Sequence, residues 1–187
     1  MSWAWETTFN RNERRGAASM SRSPENILLY LDDPEEQQIR EIFDELALKG
    51  FPVQNQTPHI SITFAHSLAD VVIQRASEVL PSVVPAKLSR VGTVVFGTGR
   101  KQTVAWLLET TDELECAARE ISVENTEGRG PRWTPHLTMG LRLPREIVPD
   151  YIRALDELAA GRCHELTAVR AAFWQPRSQE LAVLAGE

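Results

Sequence analysis

The chain has 187 residues, of which 42% are hydrophobic and 25% charged, a composition typical of one globular domain with a sizeable core. Its formal net charge of −6 argues against a broad basic surface that follows a long nucleic acid. The sequence contains no apolar stretch long enough to cross a bilayer, so we expect no membrane partner.

The first part of the chain differs in character from the rest. Residues 1–23 carry scattered charges and lack the continuous apolar segment of a secretory signal. We therefore predict a flexible N-terminal extension over 1–23 and one bilobal domain with interleaved lobes over 24–187. Cys116 and Cys163 form neither a CxxC pair nor a dense framework, which favours the reducing cytoplasm and predicts two small buried side chains.

From residue 27 onward, strand and helix patterns alternate. The pattern predicts a strand over 27–31, followed by a helix with Asp33 as N-cap, Pro34 as first helical residue and Gly50 at its end. The next predicted elements are a strand around His59, a helix over 67–80 ended by Pro81, and a strand over 88–96. Together these elements form a β-α-β-α-β unit.

The same order of elements recurs later in the chain. Each recurring element is displaced by the number of residues that separates His59 from His136, and we call this number the repeat offset. Thr110 is the predicted N-cap of the next helix, and with Glu113 it would form a capping box. The other predicted landmarks are a strand around Val104, an apolar helix stripe of Leu114, Ala117, Ala118 and Ile121, a strand around His136, a helix over 151–160, and strands over 165–173 and 181–184. We infer two similar lobes with pseudo-twofold symmetry, each contributing one histidine-bearing strand to a shared cleft.

Each unit contains one copy of a short motif. The first copy reads Thr57-Pro58-His59-Ile60-Ser61-Ile62, and the second reads Thr134-Pro135-His136-Leu137-Thr138-Met139. Because side chains alternate along a strand, the imidazole and the hydroxyl of each copy share one face. The same alternation predicts that Ile60, Ile62, Phe64, Leu137, Met139, Leu141 and Leu143 face the core, whereas Gly140 and Arg142 lie on the histidine face.

Two imidazoles that face a common cleft suit acid and base chemistry near neutral pH, because their ordinary pKa is about 6.5. Phosphodiester cleavage needs a base for the attacking water and an acid for the departing ribose oxygen. Ser61 and Thr138 could donate hydrogen bonds to the phosphoryl oxygens. This chemistry needs no metal or cofactor, and neither motif offers a second ligand at metal-binding spacing, so we predict neither.

The two motifs resemble the H-x-(S/T)-x signatures of the two-histidine (2H) phosphoesterase superfamily, which includes 2'-5' RNA ligase-like and cyclic phosphodiesterase proteins. The resemblance covers residues 27–187. It implies an α+β fold of two pseudo-symmetric lobes with antiparallel-rich sheets around a central cleft. It also implies catalysis by His59 and His136, with Ser61 and Thr138 binding phosphate.

Two positions that follow the motifs can be compared with the branch of the family that acts on RNA cyclic phosphates. Phe64, five residues after His59, fits the pattern of that branch. The second motif departs from it, because Leu141 stands where the branch tends to place an arginine, and Arg142 follows one residue later. Alternation along the strand would place Arg142 on the histidine face, where it could reach a phosphate.

Two further groups of residues are open to two readings. Arg132 and Trp133, in the segment 129–133, could grip a nucleotide through a phosphate and a base. Equally, the segment could be a turn with solvated arginines and Trp133 packed as a hydrophobic plug. Arg170 and Trp174 share a strand face that could either line the cleft or cover a sheet edge.

The sequence thus predicts a metal-independent phosphoesterase that hydrolyses a 2',3'-cyclic phosphate or a related 2'-linked phosphodiester of a small nucleotide or an RNA terminus. One alternative is a nucleotide- or phosphate-binding module that keeps the cleft as a vestige. Another is an RNA-end 2'-5' ligase, although no nucleotide-activation motif is present in the sequence. We expect a monomer in the cytoplasm. The sequence does not assign the acid and base roles between His59 and His136.

Overall fold

The computed structural model describes residues 23–186, so the extension predicted over 1–23 lies, apart from Ser23, outside the described residues. The strands are β1 (Glu25–Leu31), β2 (Ile60–Ala65), β3 (Ala86–Phe96), β4 (Lys101–Thr110), β5 (His136–Pro144), β6 (Glu165–Gln175) and β7 (Glu180–Gly186). The α-helices are α1 (Asp33–Leu48), α2 (Asp70–Val79), α3 (Asp112–Glu124) and α4 (Val148–Leu158). The predicted α+β fold is confirmed. None of the helices within residues 23–186 is both long and apolar enough to span a membrane.

Two helices begin one residue away from the predicted N-cap. The N-cap of α1 is Asp32, whose side chain accepts a hydrogen bond of 3.0 Å from the backbone N–H of Glu35. The N-cap of α3 is Thr111, which accepts from the N–H of Leu114. The predictions of Asp33 and of Thr110 with Glu113 as caps were therefore wrong. Thr110 still belongs to β4, where it pairs with Leu88 of β3, and its hydroxyl donates to the carbonyl oxygen of Lys87.

The strands form one antiparallel sheet whose order is β1-β2-β5-β4-β3-β6-β7, and an additional β1–β6 pairing closes the first six strands into a ring. The repeat offset relates β1 to β4, β2 to β5 and β3 to β6. Every pairing in the ring then has an equivalent: β1–β2 matches β4–β5, and β3–β4 matches β6–β1. The pseudo-twofold symmetry inferred from the sequence is thus present in the strand pairing.

The third strand of each repeat belongs to the other half of the molecule. β3 pairs along most of its length with β4, and β6 pairs with β1. The two lobes therefore contain β2-β1-β6 and β5-β4-β3. The lobes are interleaved, and each is built from both repeats rather than from one repeat alone. The lobes meet where β2 pairs with β5 and where β3 pairs with β6.

The two faces of the strands have different surroundings. Ile27 and Leu29 of β1 belong to the main hydrophobic core, together with the apolar stripes of the helices. Leu28 is also buried but lies outside that core, as do Ala105 of β4 and Ala172 of β6. Since neighbours along a strand point to opposite faces, Leu28, Ala105 and Ala172 mark the second face, which we call the cleft face. Both motif hydroxyls pair across strands with this face: Ser61 with Leu28, and Thr138 with Ala105.

Each motif ends in a β-bulge. In β2, the partner of Leu28 is Ser61 but the partner of Ile27 is Thr63, so Ile62 is the extra residue. In β5, the partner of Ala105 is Thr138 but the partner of Val104 is Gly140, so Met139 is the extra residue. An extra residue reverses the alternation of all later side chains in the strand. The bulges are themselves related by the repeat offset.

The bulges correct three predictions about side-chain direction. Phe64 and Leu141 do not face the core and are instead 39% and 48% exposed. Gly140 faces the core, because a Cβ at this position would lie 2.6 Å from Leu143 and 2.7 Å from Tyr151. Arg142 adopts a left-handed backbone conformation with φ of 53° at a second irregularity of β5. Simple alternation therefore cannot place its side chain.

The two cysteines differ from each other. Cys163 is buried, as expected, whereas Cys116 on α3 is exposed, so the expectation of two buried side chains was wrong for Cys116. Both are free thiols.

Candidate active site

The two motif strands are direct neighbours. Ile60 of β2 pairs with Leu137 of β5 in the antiparallel sense. One residue to either side, this register puts His59 across from Thr138, and Ser61 across from His136. His59 and His136 therefore lie diagonally across the two strands, a relation in which the backbones are about 7–8 Å apart. Each hydroxyl of one repeat stands beside the imidazole of the other repeat.

Both imidazoles are oriented by the same hydrogen bond. His59 Nδ1 lies 2.7 Å from the carbonyl oxygen of Thr57, and His136 Nδ1 lies 2.8 Å from that of Thr134. A carbonyl oxygen only accepts, so Nδ1 carries the proton in each ring and Nε2 holds the free lone pair. The carbonyl group of the motif threonine therefore sets the tautomer of the histidine two residues later.

Burial lowers the pKa of both histidines below the ordinary value, although the hydrogen bonds to Thr57 and Thr134 act in the opposite direction. For His136, the positive charges of His59 and Arg129 lower the pKa further. Both rings are half-buried. The lowered pKa favours the neutral form of each imidazole, in which Nε2 can accept a proton.

The hydroxyl of Ser61 is positioned by Asn26 on β1. The Asn26 Nδ2 group donates a hydrogen bond of 2.7 Å to the Ser61 Oγ. Because this bond uses a lone pair of Oγ, the hydroxyl proton of Ser61 stays available for a phosphoryl oxygen. No sequence pattern singles out Asn26, since only the pairing of β1 with β2 brings it beside the motif.

An aromatic ring flanks the second histidine. The Phe96 ring at the end of β3 lies 4.7 Å from the His136 ring, centroid to centroid, at an interplanar angle of 54°. Phe96 was predicted only as part of a strand. Its position depends on the register of the β3–β4 hairpin, in which Phe96 pairs with Thr103, and no local pattern reveals that register.

A cavity of about 100 Å³ opens beside His136 and Ser61, under the loop that precedes β5. Trp133 in its wall is 9% exposed, and its Nε1 donates a hydrogen bond of 2.8 Å to the Ser61 carbonyl oxygen. The packed indole of Trp133 thus joins the loop to the first motif. Other residues that line the cavity are Thr63, Phe64, Glu127, Arg129, Arg132 and Thr134.

The arginines near the site occupy different places. Arg129 and Arg132 are exposed and line the cavity, and the positive charge of Arg129 lowers the pKa of His136. Arg129 lay in the segment singled out from the sequence but not among the candidate site residues. Arg142 is exposed as well, but it does not line the cavity. Within residues 23–186, no group of three or more His, Cys, Asp or Glu side chains is arranged to hold a metal ion.

Comparisons with known proteins bear on the fold. No family model matches the sequence, and no curated protein matches it. The chain is similar to Usb1 of Kluyveromyces marxianus in a structure with uridine monophosphate, with a TM-score of 0.52, 10% identity, and coverage of 87% of this chain and 98% of that chain. A second structure of the same Usb1 gives a TM-score of 0.50 at 10% identity, covering 88% and 98% of the two chains. At this identity the likeness shows a shared fold.

Proposed function

We propose that this protein is a metal-independent phosphodiesterase that hydrolyses a 2',3'-cyclic phosphate or a related 2'-linked phosphodiester on a small nucleotide or an RNA end. One observation carries the proposal: two half-buried imidazoles, one directly before β2 and one at the start of the adjacent β5, donate hydrogen bonds from Nδ1 to equivalent threonine carbonyls. Their Nε2 atoms are left for the reaction. The uridine monophosphate in a structure of the same fold supports a nucleotide as the ligand class.

The reaction follows from these groups. One histidine accepts a proton from water through Nε2 while the water oxygen attacks phosphorus, and the other, in its protonated form, gives a proton to the ribose oxygen as the P–O bond breaks. Ser61 and Thr138 donate hydrogen bonds to the non-bridging oxygens and stabilise their charge in the transition state. The two histidines exchange roles when the reaction runs backwards.

The lowered pKa values fit the base more readily than the acid, which needs a proton. A bound phosphate accounts for this proton, because its negative charge beside an imidazole favours the protonated form of the ring. Substrate binding would then raise the pKa of the histidine that acts as acid, while the other stays neutral. In this proposal the enzyme uses no metal and no cofactor and acts as a monomer in the cytoplasm.

The test is hydrolysis of uridine 2',3'-cyclic phosphate in the presence of EDTA. His59→Ala and His136→Ala should each lower kcat by roughly 100-fold or more, which is the contribution expected of a general acid or base. His164→Ala, at an exposed position outside both motifs, is the matched control and should retain activity. Undiminished turnover in both motif variants would remove the histidines from the mechanism.

A second candidate, a nucleotide-binding module without efficient catalysis, is favoured by one observation. Leu141, five residues after His136, is 48% exposed, and it stands where an arginine would otherwise add charge to the site. Calorimetry with uridine monophosphate distinguishes the two candidates. Saturable binding without turnover of any cyclic or 2'-linked substrate would support the binding module.

A further inference from the structure

Three residues on neighbouring strands form a row across the cleft face. Leu28 and Leu29 of β1 pair with Ser61 and Ile60 of β2, so the next position of β1, Tyr30, comes opposite His59. Tyr30 also pairs with Arg170 on β6. Since neighbouring strands lie about 4.8 Å apart, the backbone of Arg170 is roughly 10 Å from that of His59.

The direction of Arg170 is settled by its neighbours in β6. Ala171 belongs to the hydrophobic core, whereas Ala172, two residues from Arg170, pairs with Leu28 on the cleft face. Arg170 therefore shares the face of Leu28 and, through it, of Ser61. This answers the question left open by the sequence: the arginine lines the cleft rather than a sheet edge.

The guanidinium of Arg170 has an aromatic ring beside it but lacks an anionic partner within residues 23–186. Its Cζ lies 5.0 Å from the centre of the Tyr30 ring. Its Nε is buried and has no hydrogen-bond partner in that range, and Arg170 forms no ion pair with any residue of it. A buried donor without a partner is unfavourable, and the planar guanidinium is well suited to a phosphate group.

The equivalent row of the other lobe lacks both side chains. The repeat offset carries Tyr30 to Leu107, and the strand partner of Leu107 is Gly92. The row that begins with His136 therefore continues through Leu107 to Gly92, and neither of these two residues is charged. Arg129 approaches His136 from the loop before β5, not from the strands. The row beside His59 thus contains an arginine that the equivalent row beside His136 lacks, and the two rows are not symmetric.

We propose that Arg170, held by the ring of Tyr30, binds a second phosphate of the substrate on the His59 side of the cleft. This inference rests on the proposed function and narrows its substrate class to nucleotides that carry a phosphate in addition to the one that reacts. The second phosphate has two chemical sources: an internucleotide linkage, or a 5'-phosphate on the same nucleoside.

The test compares kcat/KM for three substrates that end in a 2',3'-cyclic phosphate: uridine with a free 5'-hydroxyl, its 5'-phosphorylated form, and a uridine dinucleotide. The parent protein should prefer at least one of the last two by roughly 10- to 100-fold, the gain expected from a hydrogen bond between charged groups. Preference for the dinucleotide identifies an internucleotide linkage, and preference for the 5'-phosphate identifies the other source.

Arg170→Met should reduce that preference severalfold or more, and Arg170→Lys should restore part of it, because lysine keeps the charge without the planar fork. Tyr30→Leu, which copies the residue at the equivalent position 107, should reduce it less, since it removes only the ring. Arg153→Met is the control, because Arg153 is highly exposed and pairs only with Asp150 on its own helix among the described residues. Tyr30→Leu and Arg170→Lys still decide the matter if Arg170→Met does not fold.

The inference is overturned if the parent shows no preference, or if every Arg170 and Tyr30 variant retains it. Calorimetry separates this outcome from failure of the proposed function. The parent should bind uridine 3',5'-bisphosphate more tightly than uridine 3'-monophosphate, and Arg170→Met should abolish the difference. This difference in binding, without turnover of any substrate, would support the phosphate subsite at Arg170 and contradict the proposed hydrolase activity. Turnover without substrate preference would support the hydrolase and refute the subsite.

Discussion

The hydroxyl of Tyr151 on α4 donates a hydrogen bond of 2.5 Å to the carbonyl oxygen of Met139, the extra residue of the bulge in β5. Both residues are fully buried. The extra residue of a bulge is left without a regular ladder partner, and here a helix side chain supplies one. This contact helps to hold the strand in the shape that places Thr138 beside His59 and turns Gly140 toward α4.

Tyr151→Phe should therefore destabilise the protein by about 1–3 kcal/mol, because the buried Met139 carbonyl would lose its partner. Urea unfolding followed by circular dichroism measures the loss. Tyr30→Phe is the control, since the Tyr30 hydroxyl makes no hydrogen bond to a residue within 23–186, and it should cost less. Equal losses in the two variants would show that the bond to Met139 contributes little.

Arg129→Met should raise the pKa of His136, because the variant removes a positive charge that opposes protonation of that ring. The pKa of His59 should change less, since Arg129 is not among the groups that shift it. NMR titration of the imidazole Cε1–H signals measures both values. Arg132→Met, a variant of the other arginine in the cavity wall, is the control. An unchanged pKa of His136 would place Arg129 away from the ring in solution.

The two histidines should also make stability depend on pH. Burial lowers their pKa in the folded state, so the unfolded chain binds more protons as the pH falls through about 6.5. The free energy of unfolding should thus be highest above that pH and decrease below it. Replacing both histidines by glutamine should flatten this part of the curve, as measured by urea unfolding between pH 5 and pH 8. A slope equal to that of the parent would exclude the two rings as its source.

The repeat offset, the order of strands and helices, and the two motifs could all be predicted from the sequence. These features are local, because helix and strand periods and the position of a motif depend on neighbouring residues. The buried stripe of α3, with Leu114, Ala117, Ala118 and Ile121, was predicted correctly for the same reason. The caps of α1 and α3 were wrong by one residue, since the end of the preceding strand decides where each helix begins.

The residues around the histidines were less predictable, because their positions depend on contacts between distant segments. The side-chain directions predicted from strict alternation along β2 and β5 were wrong after Ile62 and Met139, because the bulges turn Phe64 and Leu141 away from the core. Asn26 and Phe96 reach the motifs only through the pairing of β1 with β2 and of β3 with β4.

Two related halves, each with one histidine and one hydroxyl on a strand, could be recognised from the sequence alone, because alternation within a short strand segment needs no distant partner. The folded structure was needed to show that the third strand of each repeat joins the other lobe, and that an arginine lies in the row beside His59 but not in the row beside His136. Strand register has no local signature, since it results from hydrogen bonds between residues far apart in the chain. The position of Arg170 beside Tyr30, in the row that begins with His59, was therefore visible only in the folded protein.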